Sequence, residues 1–414
     1  MARTDNLTNF LTDVADSIRS KKQTTGKVNA NDFDVEIDSI ASKPTKGFFL
    51  DEFNSEGRPT KLEVIGMTGL PVYCCSNMYN VSVQINGRYD QGFFRDLKTV
   101  QLDNKCTYLN SSCFQNCIKL TNINTKLIKR VYFNSFYNCQ SLVSLDLSNV
   151  EYIGSTGYGT STGSAFGSCK NLESIVLPDS YNLVGSSNFN GCSKLNLDKL
   201  PSNMTTIPNN TFSGCSSLTL NKLPEALTSI GNSAFENCSS LAITSLPESL
   251  TTIGASAFKK CHNITIDKLP DGLTNLGAYA FESDNLITIS KITDGVKVLG
   301  NCVFSGCNNI KKISALNVTE ISSGSSSNYG AFYNCTGLKQ VWIGSSISNS
   351  KIYRYSFKGC TNLEKIYIDL PRETVESFTN YQYAFMDDTS KTNIIVCNDD
   401  EGFITIEDFD ALEV

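Results

Sequence analysis

Histidine is almost missing from this sequence, and long apolar runs are missing altogether. His262 is the single histidine in 414 residues. Histidine-based triads and zinc sites need that residue beside further catalytic or ligand groups, so the sequence leaves little room for either. No stretch approaches the roughly 20 apolar residues that cross a bilayer. We therefore expect neither a histidine-dependent enzyme nor a membrane-spanning chain.

Charge is also scarce. Only 18% of the residues are charged, the net charge is −6, and the longest basic cluster is the four-residue stretch 19–22. Proteins that bind nucleic acid carry a basic stripe or patch, so a nucleic-acid partner is not expected. The sequence contains no glycine-rich phosphate loop and no Cys-x-x-Cys pair, and it therefore predicts no cofactor and no metal site.

A repeated unit fills most of the sequence. Phenylalanine followed three residues later by cysteine occurs ten times, and two further copies carry Asp284 and Asp388 in place of the cysteine. From Phe166 to Phe304 the step is 23 residues every time. This regularity predicts about twelve stacked coils. A small buried hydrophobe in each coil accounts for ten of the sixteen cysteines, which we expect to be reduced.

Each repeat predicts one short strand and one tight turn. In pairs such as Ile175 and Leu177 the apolar residues lie two apart, as one face of a strand requires, and such strands should stack into a parallel sheet. The Ile-Gly steps at Gly231 and Gly254 predict turns with a positive φ, followed by one helical turn. The apolar spacing is reversed in the middle coils, at 195–201 and 218–224, so we expect their strand to shift register.

The recurring pattern (L/I)PxxLTxIGxxAFxxCxxL resembles the BspA-like, or Treponema-type, leucine-rich repeat family, over about residues 97–390. The resemblance implies an α/β repeat fold: a leucine-rich-repeat solenoid of about twelve coils of roughly 23 residues, with short parallel strands. It also implies a protein that presents a binding surface and is not an enzyme.

The remaining segments frame the repeats. Residues 44–96 predict a β-rich N-cap with degenerate first coils, and residues 391–414 predict a C-terminal cap. Residues 1–43 predict a helical hairpin that serves attachment or oligomerisation, or only caps the repeats. Its apolar face is formed by Leu7, Phe10, Leu11, Val14 and Ile18. This leader and the GMTxLP segment after it resemble leaders of bacteriophage tail and other structural proteins.

Three functions remain open. The leader, together with the lack of a signal-peptide core in the first 22 residues, favours a bacteriophage virion component: a tail fibre, baseplate or head-fibre protein assembled in a host cytoplasm. Its helices would bind other virion proteins or form a homotrimer, and its repeats would bind a host-surface glycan or protein. The alternative is a bacterial cell-surface or secreted BspA-type adhesin. An enzyme acting on glycans is the most distant interpretation, because nothing singles out a pair of carboxylates.

Five aromatic residues form the candidate ligand surface. Trp342 lies between two apolar residues of a predicted strand, so its ring should point away from the core, and Tyr367 takes the same place in the next coil. Two exposed rings would suit a sugar ring or a protein hot spot. Tyr329, Tyr353 and Tyr355 lie nearby in the sequence. The alternative is that the rings of Trp342 and Tyr367 pack against the C-terminal cap.

Overall fold

The computed structural model describes residues 47–50, 52–55, 58–70, 74–75, 83–85, 88–90, 94–154, 164–322, 329–347, 351–353, 355–378 and 394–413. They belong to two compact units, Met1–Asn196 and Leu197–Val414, which are taken one at a time below. The predicted helical hairpin at 1–43 and the repeat around Phe385 lie outside the described residues.

The first unit is built from short strands in two rows. Its described strands are β1 (Gly47–Leu50), β2 (Lys61–Ile65), β3 (Gly69–Leu70), β4 (Val83–Ile85), β5 (Arg88–Asp90), β6 (Thr99–Leu102), β7 (Tyr108–Leu109), β8 (Asn122–Ile123), β9 (Arg130–Tyr132), β10 (Ser144–Asp146), β11 (Tyr152–Gly154), β12 (Ser174–Val176) and β13 (Asn182–Val184). One row has the order β1-β2-β6-β8, with β10-β12 as a separate pair. The other has the order β3-β7-β9-β11-β13, and all its neighbours are parallel.

An antiparallel pair covers the start of the first row. Strand β1 pairs antiparallel with β2, and β2 continues in parallel into β6. Leu62 and Val64 of β2 are buried, whereas the other three residues of the strand are half-buried, so the strand has one buried face. Because β1 occupies the outer edge of β2, the parallel strands of the coils do not begin at an open edge.

The second unit repeats the two-row plan. Its described strands are β14 (Thr206–Ile207), β15 (Ser229–Ile230), β16 (Thr252–Ile253), β17 (Asn275–Leu276), β18 (Val298–Leu299), β19 (Lys312–Ala315), β20 (Glu320–Ile321), β21 (Gln340–Ile343), β22 (Lys365–Ile368) and β23 (Ile395–Cys397). They form the parallel sets β14-β15-β16-β17, β18-β20 and β19-β21-β22-β23. The described helices are short: α1 (Arg372–Glu376) and α2 (Ile406–Ala411).

Stacked phenylalanines form the centre of each unit. In the second unit, the rings of neighbouring coils from Phe212 to Phe357 have centroids 5.2–5.8 Å apart and nearly parallel planes. In the first unit, the rings from Phe114 to Phe189 are 5.2–5.6 Å apart. The repeat therefore places one large aromatic ring of each coil at the offset-stacking distance from the next.

The cysteines of the repeat lie beside this column, and all sixteen cysteines of the chain are free and buried. The thiol of Cys238 donates to the carbonyl oxygen of Phe212 in the preceding coil at 3.0 Å, and Cys261 makes the same contact with Phe235 at 3.0 Å. The prediction of small, buried, reduced residues is confirmed. Their contribution is a hydrogen bond between coils as well as apolar burial.

The predicted helical turn at each phenylalanine is wrong. Two residues with left-handed backbone bracket most of the described rings instead, as at Ser233 (φ 51°) and Asn237 (φ 61°) around Phe235. This backbone turns the amides of Ser233, Phe235 and Asn237 toward the next coil, where they donate to carbonyl oxygens of Ala255, Ala257 and Lys259 at 2.8 Å. Bonds between coils replace the bonds within a helix.

The glycines of the Ile-Gly steps have a different role from the one predicted. Gly231 and Gly254 do not adopt a positive φ. A Cβ at Gly254 would lie 2.6 Å from the backbone nitrogen of Asn232 in the preceding coil, and a Cβ at Gly231 would be as close to Asn209. Glycine is needed here because the backbones of neighbouring coils approach closely.

The middle coils also depart from the prediction of a register-shifted strand. The stretch 218–246 has no strand at its Leu-x-Leu segments, and its strands lie only in the row of β14 to β17. Single backbone bonds still join these segments, such as the amide of Ala242 to the carbonyl oxygen of Leu220 at 3.0 Å.

Candidate functional site

The predicted exposure of Trp342 and Tyr367 is wrong. Their side chains are 5% and 8% exposed, and they form a cluster with Val396 and Phe409. The rings of Tyr367 and Phe409 meet edge to face at 6.0 Å, and the indole nitrogen of Trp342 lies 3.5 Å from the carbonyl oxygen of Ile404. Helix α2 covers the outward face of β21 and β22. The rings of Trp342 and Tyr367 therefore pack against the C-terminal segment, as the alternative interpretation proposed, and they do not form an open platform.

Acidic residues near the C-terminus join α1 to β23. The guanidinium of Arg372 donates to both carboxylate oxygens of Asp400, and the backbone amide of Arg372 donates to Asp399 at 2.8 Å. The hydrogen bond from Arg372 lowers the pKa of Asp400 to about 2. The ligand atoms of Cys397, Asp399 and Asp400 lie within 4.8 Å of one another, as metal ligands do, but a guanidinium already neutralises this group.

Neither the histidine nor the buried carboxyl of the described coils is placed for catalysis. His262 is exposed, and its Nδ1 lies 3.0 Å from the carbonyl oxygen of Ser283. Asp284 is the described carboxyl whose pKa is most strongly raised, because it is buried, and no substrate can reach a side chain that is 0% exposed. Helices α1 and α2 of the described chain have five and six residues, too few to cross a membrane.

Three predicted ligand residues remain at the surface of the second unit. Tyr329 is 45% exposed, and Tyr353 and Tyr355 are half-buried. With Tyr333, whose ring meets that of Tyr329 edge to face at 4.4 Å, we call them the tyrosine cluster. Gly330 brings two of its coils together, since a Cβ there would lie 2.4 Å from the carbonyl oxygen of Tyr355.

Cations lie over two rings of the tyrosine cluster. The ammonium of Lys351 is 5.9 Å from the ring centroid of Tyr353, and that of Lys358 is 4.9 Å from the ring centroid of Tyr355. Lys351 also pairs with Glu320 at 3.1 Å. The cluster thus combines half-exposed rings with charged and hydroxyl groups, the mixture found at protein hot spots and sugar sites.

A second aromatic surface lies in the first unit. In the sheet β7-β9-β11, Tyr108, Arg130 and Tyr152 occupy one register row. Tyr132 points to the same side as Arg130, because the buried Val131 separates them. We call Tyr108, Arg130, Tyr132 and Tyr152 the Tyr–Arg face.

Contacts within the Tyr–Arg face orient its rings. The rings of Tyr132 and Tyr152 are 6.0 Å apart at 51°. Burial, and then the neighbouring Tyr132 hydroxyl, raise the pKa of Tyr152. Sequence reasoning missed this face. The signal was present, because each of these residues flanks a coil's buried apolar residue, where the coils of β14 to β17 carry Thr, Ser, Asn, Pro or Gly.

Stacked coils with two rows of short parallel strands define a leucine-rich-repeat protein. The model of the BspA type leucine-rich repeat region matches residues 73–164, 162–265, 228–330 and 320–408. These matches together cover most of the chain, which therefore belongs to the BspA-type leucine-rich repeat family. No curated protein matches the chain in sequence.

The chain is similar to several solved structures. A leucine-rich repeat protein from Bacteroides ovatus is 21% identical, with 86% of this chain and all of that one covered, and the TM-score is 0.51. A leucine-rich cell surface protein from Faecalibacterium prausnitzii is 17% identical over 81% of this chain and 96% of that one, with a TM-score of 0.42. The pneumococcal vaccine antigen PcpA is 16% identical over 79% and 80% of the two chains, with a TM-score of 0.40.

Proposed function

We propose that the chain is a non-enzymatic binding module of the bacterial cell-surface or secreted adhesin type, and that the tyrosine cluster contacts its ligand. Family membership supports the adhesin class. The half-exposed rings of Tyr329 and Tyr355 support the location, because the coil fold does not need them. At the position of Tyr355 other coils carry Ser233 and Ser256, which adopt the same left-handed backbone.

Adhesion of the full chain to cells tests this proposal. Fluorescent wild-type protein and the variant Tyr329→Asn/Tyr355→Ser are titrated onto a panel of bacterial and cultured epithelial cells. Both replacements are residues that other coils carry at these positions, namely Asn301 and Ser256, so folding should be kept. Loss of a hot-spot ring costs about 2 kcal/mol, and binding should therefore weaken by more than about ten-fold.

A matched control separates this ligand surface from a general effect of losing tyrosine. Tyr279→Ser makes the same change at the same coil position outside the cluster, and it should leave binding unchanged. Equal binding by the wild type and the cluster variant would exclude the cluster. The absence of binding to every cell type in the panel would exclude the adhesin.

A bacteriophage virion component is the second candidate. It is favoured by the resemblance of the leader at 1–43, which lies outside the described residues. In that setting Leu7, Phe10, Leu11, Val14 and Ile18 would bind other virion proteins or form a trimer. Analytical ultracentrifugation of the full chain tests this role, since a stable trimer that Leu11→Asp and Val14→Asp dissociate would favour it over a monomeric adhesin.

A further inference from the structure

The side chains of the Tyr–Arg face are not required by the fold. In the sheet β14-β15-β16-β17 of the second unit, the same register row is formed by Thr206, Ser229, Thr252 and Asn275, each directly before a buried isoleucine or leucine. Those strands pair in the same parallel manner with small polar residues. Rings and a guanidinium at the row of β7, β9 and β11 therefore need an explanation other than packing.

Gly69 leaves space for the ring of Tyr108 to pack against the sheet. It pairs with Tyr108 in the neighbouring strand, and a Cβ at Gly69 would lie 2.1–2.3 Å from three ring atoms of Tyr108. The ring thus occupies the space above the glycine, with one side toward the sheet and the rest half-exposed. A ring held in this way offers a flat apolar surface on which a sugar ring can stack.

Arg130 carries the uncompensated charge of the face. It is exposed, and among the described residues no carboxylate lies within ion-pair distance of its guanidinium. The adjacent Lys129 is neutralised by Glu151 at 2.9 Å. An exposed guanidinium beside tyrosine rings suits a carboxylate, which it can bind through two parallel hydrogen bonds.

The size of the face favours a chain of sugars over a protein. Its three strands are about 4.8 Å apart, so the Cα atoms of Tyr108 and Tyr152 are separated by about 9.6 Å. The ring of Tyr108 lies farther from Tyr152, above Gly69, so the face spans the length of a short oligosaccharide. A stable protein interface covers about 800 Å² on each partner, far more than four side chains. The row beside the face is polar, with Thr107, Lys129 and Glu151.

We propose that the Tyr–Arg face binds an acidic polysaccharide, with Arg130 bound to a sugar carboxylate and the rings of Tyr108 and Tyr152 stacked on neighbouring sugars. This inference rests on the proposed adhesive function and names a ligand class and a second contact surface for it. The ligand is a polymer of uronic or sialic acids, because it must supply both a carboxylate and flat sugar rings at short repeats.

Binding of the full chain to defined polymers tests the proposal. The probes are polygalacturonate, alginate, hyaluronan and polysialic acid. Carboxyl-reduced polygalacturonate is the uncharged control, because it has the same sugar chain without the carboxylates. The wild type should bind at least one acidic polymer and should not bind the reduced form. Arg130→Ser and Tyr108→Thr should each weaken binding by about ten-fold or more, because each removes one charged hydrogen bond or one stacked ring.

Two further variants make the test specific. Gly69→Ala keeps every atom of Tyr108 but displaces its ring from the sheet, and it should also weaken binding. Lys170→Ala removes one exposed positive charge elsewhere in the first unit. Binding should be unchanged in this variant, because the proposed site depends on the position of Arg130 and not on the net charge of the protein. Near-native circular dichroism of each variant confirms folding.

Several outcomes would overturn the proposal. They are a wild type that binds none of the four acidic polymers, equal binding of the reduced polymer, or equal weakening by Lys170→Ala and Arg130→Ser. If Arg130→Ser abolishes binding to cells while no polymer is bound, the face recognises a protein instead. Retained cell adhesion without polymer binding would overturn this inference alone and leave the adhesive function standing.

Discussion

Asp284 takes the place of the repeat's cysteine and is the clearest test of the packing between coils. Its carboxylate is fully buried, one oxygen accepts a hydrogen bond from the amide of Cys261 at 2.7 Å, and the other oxygen has no partner. The thiol of Cys261 donates to the carbonyl oxygen of Phe235 instead. Restoring the consensus with Asp284→Cys should therefore stabilise the second unit.

The size of the effect follows from the unpaired oxygen. Leaving a buried polar atom without a partner costs about 1–3 kcal/mol, so Asp284→Cys should raise the free energy of unfolding by about that amount at pH 8. Burial raises the pKa of Asp284 in the folded chain. Folded protein therefore binds its proton more tightly than unfolded protein, and stability is lost as the pH rises from about 4, where an unfolded aspartate ionises.

Urea denaturation at pH 4, 6 and 8 measures this difference. The gain from Asp284→Cys should be largest at pH 8 and should shrink toward pH 4. Asp284→Asn is the control, because its amide keeps the bond from Cys261 and carries no charge, so its stability should lose this pH dependence. The reasoning is refuted if Asp284→Cys is less stable than the wild type at pH 8, or if its gain is the same at every pH.

Three other predictions follow from the structure. Phe409→Ala should red-shift the fluorescence of Trp342 and destabilise the C-terminal packing by about 3–5 kcal/mol, because it opens a cavity beside the indole; unchanged emission would show that α2 does not cover the ring. Gly254→Ala should lower stability by about 1–3 kcal/mol in chemical denaturation because its Cβ meets the preceding coil, whereas Gly272→Ala, with an open site, should not; equal effects would contradict this close approach. Burial raises the pKa of Cys238 to about 12, so its thiol should resist maleimide at pH 8 until the chain is unfolded, and rapid labelling of the native protein would contradict that burial.

The repeat and its apolar core were readable from the sequence because they depend on spacing. A phenylalanine every 23 residues fixes which ring stacks on which, and the cysteine three residues later fixes the buried neighbour. The backbone between them was not readable. Ser233 and Ser256 carry no sign of a left-handed conformation in their residue type, and Gly231 suggests a positive φ although close packing is its reason.

The candidate site was only partly predictable. Alternation correctly placed Trp342 and Tyr367 on the outer face of their strands, but it could not show that α2 covers that face, since this contact joins residues far apart in the chain. Tyr108 and Arg130 were overlooked because their coils lack the 23-residue regularity of the later ones. Aligning coils by the buried residue, and not by a fixed period, would have shown the unusual row.

The proposed adhesin binds a cell surface and leaves it unaltered. The most direct measurement is repeated binding: cells are saturated with the full chain, the protein is eluted, and fresh protein is added to the same cells. We expect the second saturation to equal the first and the eluted chain to rebind to untreated cells. A second saturation that falls with exposure time, with sugars or peptides released into the medium, would show that the chain consumes its target and would contradict a binding function.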